Sequence, residues 1–184
     1  SGHTVSIGAE ESGTERNATQ ILEFAGMPSS LVATKNLDYI EATKELKAGD
    51  IDAFFCTAGL TTTVIDELSN ECDIRLIPLT DTVISKMLES SLAYTSEVIP
   101  AGTYTGQTTD ISTIGVKSVL ITKADVSDDT IEQLTSLLFE KENEISYSNS
   151  LKLELTYDFA TDDIPIPFHD GAKRYYKACG YSTN

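Results

Sequence analysis

Short apolar runs alternate with helix-period segments along this chain, and that alternation limits the fold more than any other feature. Residues 4–7 (TVSI) read as a strand. A glycine-bearing turn follows, then Ser12 and Glu15 in a capping-box pattern, then Ala18, Ile21, Leu22 and Ala25 at helical spacing. Gly26 and Pro28 close this first helix. A second helix opens on Asp38 and Glu41, runs through Tyr39, Ala42 and Leu46, and stops at Gly49. The run IDAFFCTAG, residues 51–59, is apolar at its centre and bounded by turn residues, as a buried strand would be. Leu60, Val64, Ile65 and Leu68 mark a third helix, IRLIPL (residues 74–79) a further strand, and Ile84, Met87 and Leu88 a fourth helix. Strands alternating with helices predict an α/β fold, a mostly parallel sheet flanked by helices.

Ligands of such sheets sit beyond the carboxyl ends of the strands, where loops carry helix N-termini. Residues 8–14 and 57–61 occupy two such ends. Gly8 and Gly13 have the glycine spacing of a phosphate-binding P-loop, but Thr14 stands where that motif needs lysine, and Glu10 and Glu11 repel a polyphosphate. A nucleotide site is therefore not expected. With 13 Lys plus Arg against 29 Asp plus Glu, the net charge of −16 argues against a nucleic-acid backbone or an anionic membrane surface as partner.

After Glu89 the pattern changes. VIPAGTYTGQTTDIS, residues 98–112, is polar and without a clear period, and reads as loop or crossover; a strand GVKSVLIT (115–122) and a helix over 127–139, with Ile131, Leu134 and Leu138 inward, follow it. Cys56, Cys72 and Cys179 are too few and too scattered for a zinc ribbon or a disulfide scaffold, one pair plus a spare thiol being the alternative they leave. No metal and no cofactor is expected. No apolar run reaches the length of a membrane helix, and no charged and apolar leader opens the chain.

Taken together, VSIGAEESGTERNATQILEFAGM, EATKELKAGDIDAFFCTAGLTTTVIDEL, IRLIPL, IPAGTYTGQ and IPIPFHDGAKRYYKACG resemble the TAXI family of TRAP-transporter solute receptors. The match runs nearly the whole chain in order. Its more specific elements are the SGT loop before a helix, the IDA-x-F-x-TAG strand, IP-x-GTY-x-GQ and the terminal P-x-H-x-GA-x-x-YY. The resemblance implies an extracytoplasmic, periplasmic-binding-protein type II-like receptor. It would capture a small carboxylated metabolite, an amino acid such as glutamate or glutamine or a dicarboxylate, for TRAP membrane permease subunits. It also implies that the lobe preceding the SGT loop in that family is absent here, with residues 1–110 forming a ligand-binding α/β lobe and 111–184 a crossover and a return toward the missing lobe. An exposed apolar patch at residues 116–121 and at Tyr175 and Tyr176, able to drive self-association, is expected on the same ground.

The candidate ligand-binding residues are Ser12, Gly13, Thr14, Asn17, Phe55, Thr57, Ala58, Tyr104 and Gln107. Backbone N–H groups of Gly13, Thr14 and Glu15, with the Ser12 and Thr14 hydroxyls, suit a carboxylate at the positive end of a helix. Ser12 has a second reading as the cap of its own helix, and Asn17 as a solvated helix position. Phe54 and Phe55 alternate across the sheet, so at most one faces a cleft and the other packs in the core. Thr57 and Ala58, small residues at a strand end, let a ligand approach the backbone. Tyr104 and Gln107 combine an aromatic face with hydrogen-bonding ends, or else satisfy their own loop. No catalytic residue is assigned. The competing reading, a hydrolase or transferase on a similar two-lobed fold, requires a base beside Cys56 or Ser12.

Overall fold

The computed structural model describes residues 2–27, 31–140 and 155–183. The chain divides into two compact units, Ser1–Ser91 with Thr95–Gly115, and Leu92–Tyr94 with Val116–Asn184. The main division falls at Gly115, against an expected boundary after Asp110.

The first unit is built on three parallel strands in the order β2-β1-β3, with β1 at Thr4–Ser6, β2 at Ala33–Lys35 and β3 at Ala53–Phe54. Val5 is paired with Thr34 on one side and Ala53 on the other. The ladder continues past the strand ends, where Ile7 N–H reaches Lys35 O at 3.0 Å and Phe55 N–H reaches Ser6 O at 2.9 Å. β2 had no clear sequence signature, because ATK is short, polar at two of three positions and largely exposed. β3 is shorter than the strand expected over 51–59, and its two residues are half-buried where full burial was expected.

Helix α1, Gly13–Phe24, is capped by Ser12, whose Oγ accepts the Glu15 N–H. Its inward stripe is Ala18, Ile21 and Leu22; Ala18 and Leu22 meet Ile7, just beyond β1, and Phe55 packs against this cluster. Gly26, at φ 70°, supplies the left-handed turn that ends α1; Pro28 lies outside the described residues. Helix α2, Tyr39–Ala48, has the full capping box between Asp38 and Glu41 and stops at Gly49 with φ 80°. Helices α3, Thr63–Glu71, and α4, Asp81–Ser90, follow in this unit; α2 packs on α3 and α1 on α4, with Met87 of α4 wholly buried.

The expected strand at 74–79 is not formed. Pro78 has no N–H to give to a ladder, and Leu79 bonds outward instead, its N–H donating to Ser112 O at 2.9 Å. The segment after Glu89 contains strand β4, Tyr94–Ile99, paired with β5, Ile111–Val116, which lies N-terminal to the strand expected at 115–122. Gly115 of β5 leaves room for its neighbours on β4: a Cβ there would stand 2.7 Å from Glu97 Cγ and 2.8 Å from Thr95 Oγ1.

The second unit packs helix α5, Asp128–Glu140, against the C-terminal helix α7, Asp170–Ala178, with a short helix α6, Tyr157–Thr161, between them in sequence. Ile131 and Thr135 are the buried residues of α5, whereas Leu134, expected inward, is 38% exposed. Gly171 lies against the start of α5, where a Cβ would come within 2.2 Å of Asp128 O. Arg174 fixes the same crossing by bonding Asp129 at 2.7 Å and Glu132 at 3.3 Å. An aromatic cluster fills the unit: Phe139 stacks on Tyr157 at 4.4 Å and meets Tyr176 edge-on at 5.9 Å. Tyr176 is therefore buried and belongs to this core, not to an exposed patch. Val116, Val119, Leu120 and Ile121 are exposed as expected.

Candidate functional site

In the strand order β2-β1-β3 the chain leaves β1 for a neighbour on one side and later returns to the other. The region outside the carboxyl ends of β1 and β3 is therefore a topological switch point, the place where open α/β sheets hold their ligands. The loop after β1 carries Gly8 and Ser12 and leads into Gly13 and Thr14, the first residues of α1; the loop after β3 carries Thr57 and Ala58.

The first loop is shaped by Gly8 and Glu11. Gly8, at φ 99°, leaves space that Thr14 fills: a Cβ on Gly8 would lie 2.8 Å from Thr14 Cβ and 3.0 Å from Ser12 Oγ. Glu11 is left-handed at φ 60°. Its N–H donates to Glu15 Oε2 at 2.7 Å, while the Asn36 amide donates to Glu15 Oε1 at 2.7 Å and to Gly8 O at 3.0 Å. Asn36, placed just beyond β2, thus pins the loop with both of its amide protons. Sequence reasoning missed it because β2 itself was not visible.

At the helix end, Glu15 N–H is taken by Ser12 Oγ at 3.1 Å and Arg16 N–H by Ser12 O at 3.3 Å. The capping reading of Ser12 holds, and Glu15 N–H is not free for a ligand. Gly13 and Thr14, in the first turn, carry the N–H groups for which an α-helix has no internal acceptor. Gly13 is exposed and Thr14 is buried.

Three hydrogen bonds tie this loop to the loop after β3. Thr14 Oγ1 lies 2.8 Å from Tyr39 Oη, Tyr39 Oη donates to Thr57 O at 2.9 Å, and Thr57 N–H donates back to Tyr39 Oη at 3.0 Å. Asn17, one turn into α1, reaches Thr57 Oγ1 with its amide at 3.4 Å. Ser12, Gly13, Thr14, Asn17 and Thr57 are thereby gathered at one end of the sheet, with Ala58 exposed beside Thr57. Tyr39 was read only as an apolar position of α2. As the first residue after the Asp38 cap its ring starts the helix face, and nothing in a helical period signals where its hydroxyl goes.

The other candidates are placed differently. Phe55 packs on Ile7, Ala18 and Leu22. Tyr104 is 6% exposed; its hydroxyl donates to Leu60 O and accepts Thr62 N–H at 3.2 Å, so it braces the start of α3. Burial is the first cause that raises the Tyr104 phenol above its ordinary range. Gln107 closes its own turn: its Oε1 accepts Tyr104 N–H at 3.3 Å and its amide meets Pro100 O and Thr109 O, both at 3.0 Å. Burial pushes the Cys56 thiol up to about 11, opposed by a hydrogen bond from the neighbouring Tyr39.

Far along the chain, His169 caps α7, its Nδ1 accepting Gly171 N–H at 3.1 Å. No group of His, Cys, Asp and Glu among the described residues has the arrangement of a metal site. No helix among them is long and apolar enough to cross a membrane.

The first unit is a parallel sheet flanked by helices, with two strand-end loops joined by hydrogen bonds at its switch point. Against known families the chain matches the NMT1-like family over residues 1–180, and it belongs to that family, whose fold is periplasmic-binding-protein-like. At the coarse level this is a family of extracytoplasmic solute-binding proteins.

Proposed function

We propose that the protein captures a small carboxylated metabolite in the crevice beyond β1 and β3, as the receptor of a TRAP-type transporter. The observation that carries this reading is the junction of the two strand-end loops: Thr14, Tyr39 and Thr57 hold the first turn of α1, with the Gly13 and Thr14 N–H groups, against a small-residue strand end. One carboxylate oxygen pair fits those two N–H groups at the positive end of α1, and the Ser12 hydroxyl, whose oxygen already accepts from Glu15, keeps its proton to add a third donor. Thr57, Ala58 and Asn17 line the remaining approach. Tyr104 and Gln107 contribute by holding the neighbouring loops. TRAP coupling and the classes of solute, amino acid or dicarboxylate, rest on the sequence resemblance to TAXI receptors.

A nucleophilic enzyme gains nothing from this geometry. A Cys56 thiol at about 11 is protonated at neutral pH, and Ser12 is engaged with a backbone amide. The test is calorimetric titration of the protein with L-glutamate, L-glutamine and succinate, repeated on Ser12→Ala and Asn17→Ala. Binding of one of these acids, weakened roughly threefold to tenfold by Ser12→Ala, is expected from the loss of one hydrogen bond. Turnover of an ester or amide, or binding indifferent to both substitutions, would remove the reading.

A further inference from the structure

The face of α2 that carries Tyr39, Ile40 and Lys47 and the face of α3 that carries Val64, Glu67 and Glu71 border a groove of about 160 Å³. A volume of that size holds one benzene-sized group. The two ends of the groove differ in chemistry. Toward the helix N-termini it is lined by the Tyr39 ring, Ile40, Val64 and Leu68; Leu68 is 2% exposed, whereas Ile40 is 64% exposed. Toward the C-termini Lys47 is bonded to Glu71 at 2.6 Å. Glu67 beside them is exposed, forms no ion pair among the described residues and acts on Lys47 only through its field. Two carboxylates against one ammonium leave this end net negative, in a chain whose net charge is −16.

We propose that this groove is a docking surface for a partner protein and that its occupant is a basic amphipathic helix. Both walls are helices whose interior N–H and C=O groups are spent within them, so they offer no edge to a strand; a side chain laid in from a third helix is the mode that remains. Val64 and Glu67 lie one turn apart on α3, about 5 Å along its axis. A complementary helix therefore carries one large apolar anchor for the space between Ile40 and Val64 and, a turn away, a Lys or Arg for Glu67. An acidic helix of the same pattern meets like charge. This surface stands apart from the solute site and does not depend on the carboxylate reading. It touches that site at one residue, Tyr39, whose ring lines the groove while its hydroxyl donates to Thr57 O at 2.9 Å and accepts Thr57 N–H at 3.0 Å. An occupant that displaces the ring shifts the Thr57 amide.

The test is a titration of ¹⁵N-labelled protein with a short amidated peptide in which leucines recur at helical spacing with a lysine one turn from each, and with the same peptide carrying glutamate for lysine. The basic peptide should shift the amides of residues 39–47 and 63–71 together with Thr57, and the acidic one should shift none of them. Ile40→Ser should weaken binding about tenfold, the worth of burying most of one isoleucine side chain. Glu67→Gln should weaken it about threefold at low salt, the range of an exposed ion pair, with the difference gone in about 1 M salt. Leu92→Ser, at an apolar residue 75% exposed in the other unit, should change nothing. Shifts spread over the acidic surface, or equal losses in Ile40→Ser and Leu92→Ser, would show general attraction and overturn the proposal, as would binding indifferent to Ile40→Ser. Shifts of the groove amides with protein concentration alone would make a second copy the occupant and overturn the basic helix. A silent Thr57 overturns the link through Tyr39.

Discussion

Glu15 Oε2 accepts the backbone N–H of Glu11 at 2.7 Å, so the helix that follows the first loop supplies that loop with an anion of its own. The Glu11 N–H is thereby occupied, and the proposed carboxylate site rests on the N–H groups of Gly13 and Thr14 instead. Glu15→Ala removes the acceptor for Glu11, held at φ 60°, and one of the two partners of the Asn36 amide. A loss of about 1 kcal/mol in unfolding free energy is expected, measurable by urea denaturation. A variant as stable as the wild type would show that the bond contributes nothing to the loop.

Gly8→Ala should be worse. The residue sits at φ 99° and its new Cβ would enter the space of Thr14 and Ser12, so strain and displacement of the α1 cap act together. A cost of about 1–3 kcal/mol is expected, with the backbone amide signals of Thr14 and Thr57 moving even without ligand. Wild-type spectra for these amides would contradict the packing described.

Much of this geometry was legible beforehand. Helices α1 and α2 announced themselves because Ser12, Asp38 with Glu41, and Gly49 are local capping chemistry, and each works as its residue type dictates. The loops at the ends of β1 and β3 followed from the alternation of elements. What local pattern does not carry is partnership across the sheet: β2 is three residues recognisable only by its pairing with β1, and Asn36 becomes meaningful only once β2 is in place. IRLIPL shows the reverse error. Its alternating burial suits a strand, yet no ladder forms, and a period of two reports faces without reporting neighbours. Tyr39 lies between these cases, its ring predictable and its hydroxyl not.

Tyr104→Phe isolates the bracing of the loop before α3. It leaves Leu60 O without the phenol proton and Thr62 N–H without an acceptor, in a place where the ring is nearly buried. Destabilisation of about 1–3 kcal/mol is expected by thermal or urea unfolding, with ligand affinity changed far less than by Ser12→Ala. An affinity loss exceeding that of Ser12→Ala would make Tyr104 a contact residue instead.

Cys56 and Cys179 should separate cleanly with a thiol reagent. Cys179 is exposed, whereas the Cys56 thiol is raised to about 11 by burial, so at pH 8 mass spectrometry should find Cys179 modified first. The sign for stability follows: above the ordinary thiol pKa of about 8.5 the unfolded chain loses a proton that folded Cys56 retains, so this group lowers stability as pH rises from there toward 11. Cys56→Ser should flatten that alkaline decline. Faster labelling of Cys56 than of Cys179 would contradict its placement.

The claim at the centre is that a carboxylate sits on the first turn of α1. The most direct measurement is a titration of ¹⁵N-labelled protein with L-glutamate and with succinate, watching every backbone amide. The account predicts that, for the acid that binds, the N–H signals of Gly13 and Thr14 move furthest, downfield as donors to an anion do, with Thr57 following through Tyr39. Saturating shifts centred on another segment, or ATP displacing the acid from Gly13 and Thr14, would contradict it.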